Sequence, residues 1–217
     1  MNKIIEEKQL SELRDKIIFS MSEKRAIHTV AVEAMAIRLG KLYAPEKLHV
    51  LRAAALLHDV TKEKKTDEQL VLCHKYGVKI SENDLYSPKT FHARTAAALI
   101  PTEYPEFADD EVINAVRWHT TGHKGMTITE KIIYLADYID ESRTFDDCVT
   151  LRNRFWDAEP EKMSADEREA HLREILILSY DMTIKNLIEE NSPVASDTID
   201  ARNELICERL KANTMKG

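Results

Sequence analysis

Apolar residues recur at helical spacing along most of the chain, and caps, prolines and glycines divide the pattern into separate segments. Ile4, Leu10, Leu13, Ile17 and Ile18 predict a first amphipathic helix over about residues 3–19. Ser22 reads as the N-cap of a longer helix to about Tyr43, with Ile27, Val30, Ala31, Ala34 and Leu42 as its apolar face. His28 falls in line with Val32 and Met35, close to that face. Pro45 restarts the chain, and the next helix carries the run Ala53-Ala54-Ala55-Leu56-Leu57 into His58-Asp59. Thr66-Asp67-Glu68-Gln69 reads as a capping box for a short helix ending near Gly77, with His74 on its polar surface. Ser81 to Lys89 reads as a loop or short helix ending at Pro88.

Thr90 to Ile100 is predicted helical, with His92, Ala96 and Leu99 on one face, and Pro101 and Pro105 bracketing a turn. Asp109-Asp110-Glu111 suits the positive end of a helix carrying Val112, Ala115, Val116 and then His119. Thr127-Ile128-Thr129-Glu130 is a second capping box, opening a helix with the core Ile132 to Ile139. Residues 146–156 predict a short helix, Ser164 caps a long one to about Glu190, and a last helix runs from about Asp197 to Lys211. No run of alternating β-branched residues interrupts this series, so the fold class is all-α.

Composition narrows the partners. The formal charge of −7 disfavours a protein that coats nucleic acid or a basic membrane binder, while leaving room for a locally positive pocket. Cys73, Cys148 and Cys207 are scattered with no CxxC spacing, which suits free thiols in a reducing compartment. Glu6, Glu7 and Glu12 stand where a signal peptide would be apolar, and no apolar run approaches a membrane span. The expectation is a cytoplasmic protein with no membrane and no nucleic-acid polymer as partner.

Two acids break the apolar pattern. Asp59 ends a buried helix and Asp137 is the lone charge among Ile132-Ile133-Tyr134-Leu135-Ala136-Asp137-Tyr138-Ile139. A buried carboxylate needs a cation or donors. His28, His58, His92 and His119 lie on or beside core-side faces, and imidazole with carboxylate suits zinc, iron or manganese. Taken singly, a histidine such as His28 is more often a packed core residue than a ligand, and the His58-Asp59 pair alone fits an ordinary helix C-terminus as well as a metal. Together the histidines and acids exceed what one ion takes from protein, and a two-metal site bridged by Asp59 accounts for them. The loop His119 to Met126, with Gly122 and Gly125, could carry backbone N–H groups to an anion or be a plain connector.

The series Arg25-x-x-His28, His58-Asp59-x-x-Lys62, His92, His119-Thr120-Thr121-Gly122 and Leu135-Ala136-Asp137-Tyr138 resembles the HD-domain phosphohydrolases. With Gly125-Met126, Glu130 to Ile139 and Asp197 to Asn203 it is similar, more narrowly, to the YqeK-like symmetrical bis(5′-nucleosyl)-tetraphosphatases. That resemblance implies a single HD-type helical bundle over residues 1–217, with a metal-binding core at about 20–145 and extra C-terminal helices at about 146–217 packing on it. It implies hydrolysis of diadenosine tetraphosphate to two ADP, with a hydroxide bridging two metals as nucleophile. The metals would be iron, with manganese or another transition metal as alternatives. His28, His58, Asp59 and Asp137 would hold one ion, and Asp59, His92 and His119 the other.

Asp59 and Lys62 would be catalytic; Lys62, Thr120, Thr121, Gly122 and Arg143 would bind substrate. A homodimer is implied by the family alone. The chain departs from the family pattern at His123-Lys124, at Asp140-Glu141-Ser142 before Arg143, and in an insertion at about Asp157 to Asp166. Two rivals remain: another HD-type enzyme such as a nucleoside monophosphate phosphatase, and a non-catalytic nucleotide-binding HD protein.

Overall fold

The computed structural model describes residues 5–214, so Ile4 of the first predicted helix lies outside the described residues. Ten α-helices and no strand occur among the described residues. They are α1 (Glu7–Ser20), α2 (Glu23–Tyr43), α3 (Leu48–Leu57), α4 (Thr66–Lys75), α5 (Phe91–Glu103), α6 (Asp110–Trp118), α7 (Ile128–Ile139), α8 (Asp146–Trp156), α9 (Ala165–Glu189) and α10 (Ser196–Thr214). Helix α2 packs on α3 and α7, α6 on α5, α7 and α3, and α1 on α3. The C-terminal helices join this bundle through α9, which contacts α7, α8 and α10. No helix among the described residues is long and apolar enough to cross a membrane.

Local chemistry sets most of the boundaries. Ser22 Oγ accepts from the Arg25 N–H to start α2, and reciprocal Thr127–Glu130 and Ser164–Glu167 capping boxes open α7 and α9. The α4 cap lies one residue earlier than the sequence suggests. The Lys65 N–H donates to Glu68 Oε2 at 2.9 Å, which frees Gln69 for the interior, where its amide donates to Thr61 O at 2.5 Å. Pro101 does not bound a turn but sits inside α5, which continues to Glu103. The Tyr104 N–H closes the last turn on Ile100 O at 2.9 Å.

The apolar face expected for α2 is displaced. Ile27 is 57% exposed, and the buried side consists of His28, Thr29, Val32, Glu33, Met35, Ala36, Leu39 and Gly40. Glu33 is the reason: its carboxylate is buried, accepting from Arg14 Nε at 3.0 Å and from Arg52 Nε at 2.9 Å. An ion pair tying α1, α2 and α3 therefore occupies a position that hydropathy assigns to solvent. Gly40 lets α2 approach α3 closely, since a Cβ there would lie 2.6 Å from Leu51 Cδ1 and 2.8 Å from Leu48 Cδ2. Turning α2 in this way sends His28 toward the C-terminal ends of α3 and α7.

Candidate metal centre

The buried run of α3 delivers His58 and Asp59 into the interior, where they are 0% and 3% exposed. Thr61 ties the following turn to α5, its hydroxyl donating to His92 O at 3.0 Å. His92 begins α5, His119 caps the C-terminus of α6, and Asp137 lies in the last turn of α7. Five elements thus bring the six expected ligands together.

Three of the histidines are fixed in one tautomer. The Nδ1–H groups of His58, His92 and His119 donate to Ala55 O at 2.6 Å, Lys89 O at 2.8 Å and Val116 O at 2.7 Å. A carbonyl can only accept, so the Nε2 lone pairs face the centre, as metal-binding imidazoles require. Burial first, then the charges of Lys62 and His119, hold His92 well below the usual imidazole range; burial likewise lowers His119. Both are therefore neutral near pH 7. His28 differs: burial opposes its protonation, but Asp137 and Asp140 outweigh that and push it up to about 9.

The donor atoms form two groups that meet at Asp59. Around Oδ2, His28 Nε2 stands at 3.6 Å and His58 Nε2 at 3.4 Å. Asp137 Oδ1 is 3.0 Å from His28 Nε2 and 3.8 Å from His58 Nε2, while the two Nε2 atoms are 3.4 Å apart. Around Oδ1, His92 Nε2 stands at 3.3 Å and His119 Nε2 at 3.7 Å, with 3.0 Å between the two nitrogens. Ligands at about 2.0–2.2 Å from one ion lie roughly 3–3.5 Å from each other, and these separations, 3.0 to 3.8 Å, fall within that spacing or a few tenths of an ångström beyond it. Asp59 Oδ1 is buried with no hydrogen-bond partner, an arrangement that costs stability unless a cation meets it. The donors fit a metal on both sides of the carboxylate.

Three cationic side chains border the centre. Arg25 Nη1 donates to Asp59 Oδ2. Arg143 grips Asp137 twice, Nη2 donating to Oδ1 and Nε to the backbone carbonyl, both at 2.5 Å. The charge of Asp137 raises Arg143 above the ordinary guanidinium range, and Arg143 helps hold Asp137 well below the carboxylate range against burial. Lys62 Nζ lies over the His92 ring, 3.1 Å from Nε2, and burial lowers its pKa. Beside the centre opens a cavity of about 590 Å³ lined by Lys62, Lys89, His119, Thr120, Asp137, Tyr138, Arg143 and Phe145, among others.

Thr120 belongs to that lining, and its hydroxyl is 3.3 Å from His92 Nε2. Thr121 is buried; its hydroxyl donates to Gly122 O and its carbonyl accepts from Thr198. Gly122 lies away from the cavity. Its N–H goes to Trp118 O at 2.8 Å, and a Cβ would fall 2.0 Å from the Tyr180 hydroxyl, so its left-handed backbone and lack of side chain serve packing.

The HD domain family profile matches residues 25–142, more than half of the chain. The chain belongs to the HD domain family. Among curated proteins, this HD-domain chain is 31% identical over 191 residues to a symmetrical bis(5′-nucleosyl)-tetraphosphatase from Halalkalibacterium halodurans, covering 87% of the chain and 92% of that relative. The protein of the same description from Bacillus subtilis is 31% identical over 188 residues, covering 86% and 91%. Among solved structures, a protein from Clostridium acetobutylicum described as a predicted HD superfamily hydrolase involved in NAD metabolism superposes with a TM-score of 0.78 at 30% identity. That match covers 91% of this chain and 97% of the other.

Two residues of the HD centre escape a reading by residue type. Asp140 is fully buried, with Oδ2 3.3 Å from His28 Nδ1 and 3.4 Å from Arg143 Nε. Arg25 reads as part of the motif, but its pairing with Asp59 emerges only in three dimensions. The departure Asp140-Glu141-Ser142 therefore has a use: Asp140 and Ser142 back His28 from behind.

Proposed function

We propose that this chain is a metal-dependent hydrolase that splits diadenosine tetraphosphate and related dinucleoside polyphosphates symmetrically, one water and one substrate giving two ADP. The observation that carries this reading is the two-sided Asp59 carboxylate, whose neighbours in the centre, His119 and Asp137, line a cavity together with Lys62, Lys89 and Arg143. The relatives named for this activity over most of the chain's length support it. His28, His58, Asp59 and Asp137 would hold one ion, and Asp59, His92 and His119 the other. Bound there, two metal ions supply a hydroxide nucleophile at neutral pH and offset charge on the phosphoryl oxygens. Iron is our choice of metal; manganese and zinc suit the same donors.

The chain's own residues do the rest. Carbonyl-locked imidazoles keep their Nε2 atoms aimed inward, so the centre needs little rearrangement to act. Arg143, clamped on Asp137, directs a guanidinium into the cavity wall, and Lys62 places an ammonium beside His92. Both cations suit the anionic oxygens of a polyphosphate. Thr120 offers a hydroxyl at the same wall. We also propose that residues 1–217 work as one HD-type domain, because Thr183 and Asn186 of α9 line the cavity that Asp137 and His119 border. A homodimer and a cytoplasmic location complete the proposal, the latter supported by three free cysteines.

Lys62→Ala is expected to leave metal content and melting temperature nearly unchanged while kcat/KM falls by about tenfold or more. Kinetics equal to wild type would remove Lys62 from the site. Chromatography of the products tests the reaction itself. With diadenosine tetraphosphate, NAD and AMP offered in parallel, ADP alone is expected from the first, and far slower turnover of the other two. Equal amounts of ATP and AMP from the tetraphosphate would sink the symmetrical assignment and spare the metal centre. Preference for AMP would favour a monophosphate phosphatase.

A further inference from the structure

A second cavity of about 240 Å³ adjoins the first, and the two share Lys89, Thr120 and Thr183 in their linings. The larger one carries the metal-centre residues His119 and Asp137. The smaller one is walled by Tyr86, Pro88, Leu187 and Pro193, with no acid in its lining. Each cavity has one highly exposed aromatic ring. Phe145 in the larger is 71% exposed and Tyr86 in the smaller is 69% exposed. Only one other aromatic side chain, Phe19, stands among the exposed large hydrophobics of the described residues.

Both rings stand on backbone that is tied down. Asp84 accepts from the Ser81 N–H and hydroxyl at 2.8 Å each and from Arg94 Nη2 at 2.7 Å, closing the turn that ends at Tyr86. Arg152 Nη1 donates to Arg143 O at 3.2 Å and Asp140 O at 2.5 Å, pinning the segment that leads to Phe145. Unlike Phe19, each of these rings lies in the lining of a cavity beside the metal centre, so a base entering either cavity meets an exposed aromatic ring.

We propose that Tyr86 and Phe145 are the stacking surfaces for the two bases of one dinucleoside polyphosphate, Phe145 taking the half seated in the larger cavity and Tyr86 the half that leaves across Lys89 and Thr120. This assignment rests on the reading under Proposed function. Cleavage at the centre of a symmetrical substrate requires equal halves on opposite sides of the central bridging oxygen, and a single recess on one side holds only one. The larger volume falls within the usual range for a ligand of nucleotide size, about 300–1,000 Å³; the smaller falls below it and suits a base end. A base stacked on an aromatic ring loses roughly fivefold to more than a hundredfold in affinity when the ring is removed.

The experiment compares Tyr86→Ala, Phe145→Ala, Tyr86→Phe and wild type, all metal-loaded. Calorimetry gives the Kd of ADP and of a diadenosine tetraphosphate analogue with a methylene group at the central bridge; kinetics give KM and kcat for the tetraphosphate itself. Tyr86→Ala is expected to weaken the analogue and raise KM about fivefold or more, with ADP binding and kcat within about twofold of wild type. Phe145→Ala is expected to weaken both ligands, and Tyr86→Phe to behave as wild type. Both exposed rings can be removed without disturbing the core, and equal melting temperatures verify this. Unchanged analogue binding in either alanine variant, or equal loss of ADP and analogue in Tyr86→Ala, overturns the two-base assignment. Wild-type turnover of the tetraphosphate, measured in the same series, decides the underlying function separately.

Discussion

Asp59→Asn is expected to reduce bound metal from about two ions per chain to fewer than one and turnover by about a thousandfold or more. The carboxylate is the one group whose two oxygens face different donor sets, Oδ2 toward His28 and His58 and Oδ1 toward His92 and His119. An amide keeps the shape but replaces one oxygen by a donor and removes the negative charge from both sides at once. The metal-free variant should be somewhat less stable, because the amide gives up the ion pair with Arg25 and the surroundings that hold the Asp59 carboxyl well below the usual range against burial, and the effect of metal is read against that baseline. The larger difference should appear on adding metal. An ion at a thousand times its Kd contributes about 4 kcal/mol, or roughly 8–16 °C for a domain of this size. Wild type should gain that increment and Asp59→Asn should not. A variant that bound two ions and turned over within tenfold of wild type would remove Asp59 from the bridge.

His92→Ala is expected to lower bound metal from about two ions to about one and activity by about a hundredfold or more. The second group consists of His92, His119 and one oxygen of Asp59, so losing one imidazole leaves two protein donors. The first group keeps His28, His58, Asp59 and Asp137, a sufficient nitrogen and oxygen set. One ion cannot assist both the attacking and the leaving oxygen, so turnover collapses although metal remains. His74→Ala, exposed on α4, should change neither quantity. Full metal content and a near-normal rate in His92→Ala would return His92 to the role of a packing residue.

Much of this is legible from residue order. Caps at Ser22, Thr127 and Ser164 carry their own hydrogen-bond logic over three residues, and these helix starts fall where local chemistry puts them. The six donors are also readable, because histidines and acids on apolar faces are anomalies at any single position. What escapes depends on partners far along the chain. Glu33 looks like a solvent residue until Arg14 and Arg52 are seen to close on it, and the rotation of α2 is hidden with it. Asp140 follows the end of α7, where nothing in the apolar pattern marks it as buried, and only the fold sets it against His28. Gly122 shows the reverse. Its place beside Thr120 and Thr121 suggests a role toward an anion, but the Tyr180 ring on α9 requires the glycine for space.

The central claim, two metal ions sharing Asp59, is tested most directly by titrating the metal-free wild-type protein with iron(II) under anaerobic conditions, with manganese(II) as a parallel probe. Heat and hydrolytic activity are followed together against the molar ratio of metal to chain. Binding should saturate at two equivalents, with activity appearing chiefly as the second is added. Saturation at one equivalent with full activity would contradict it.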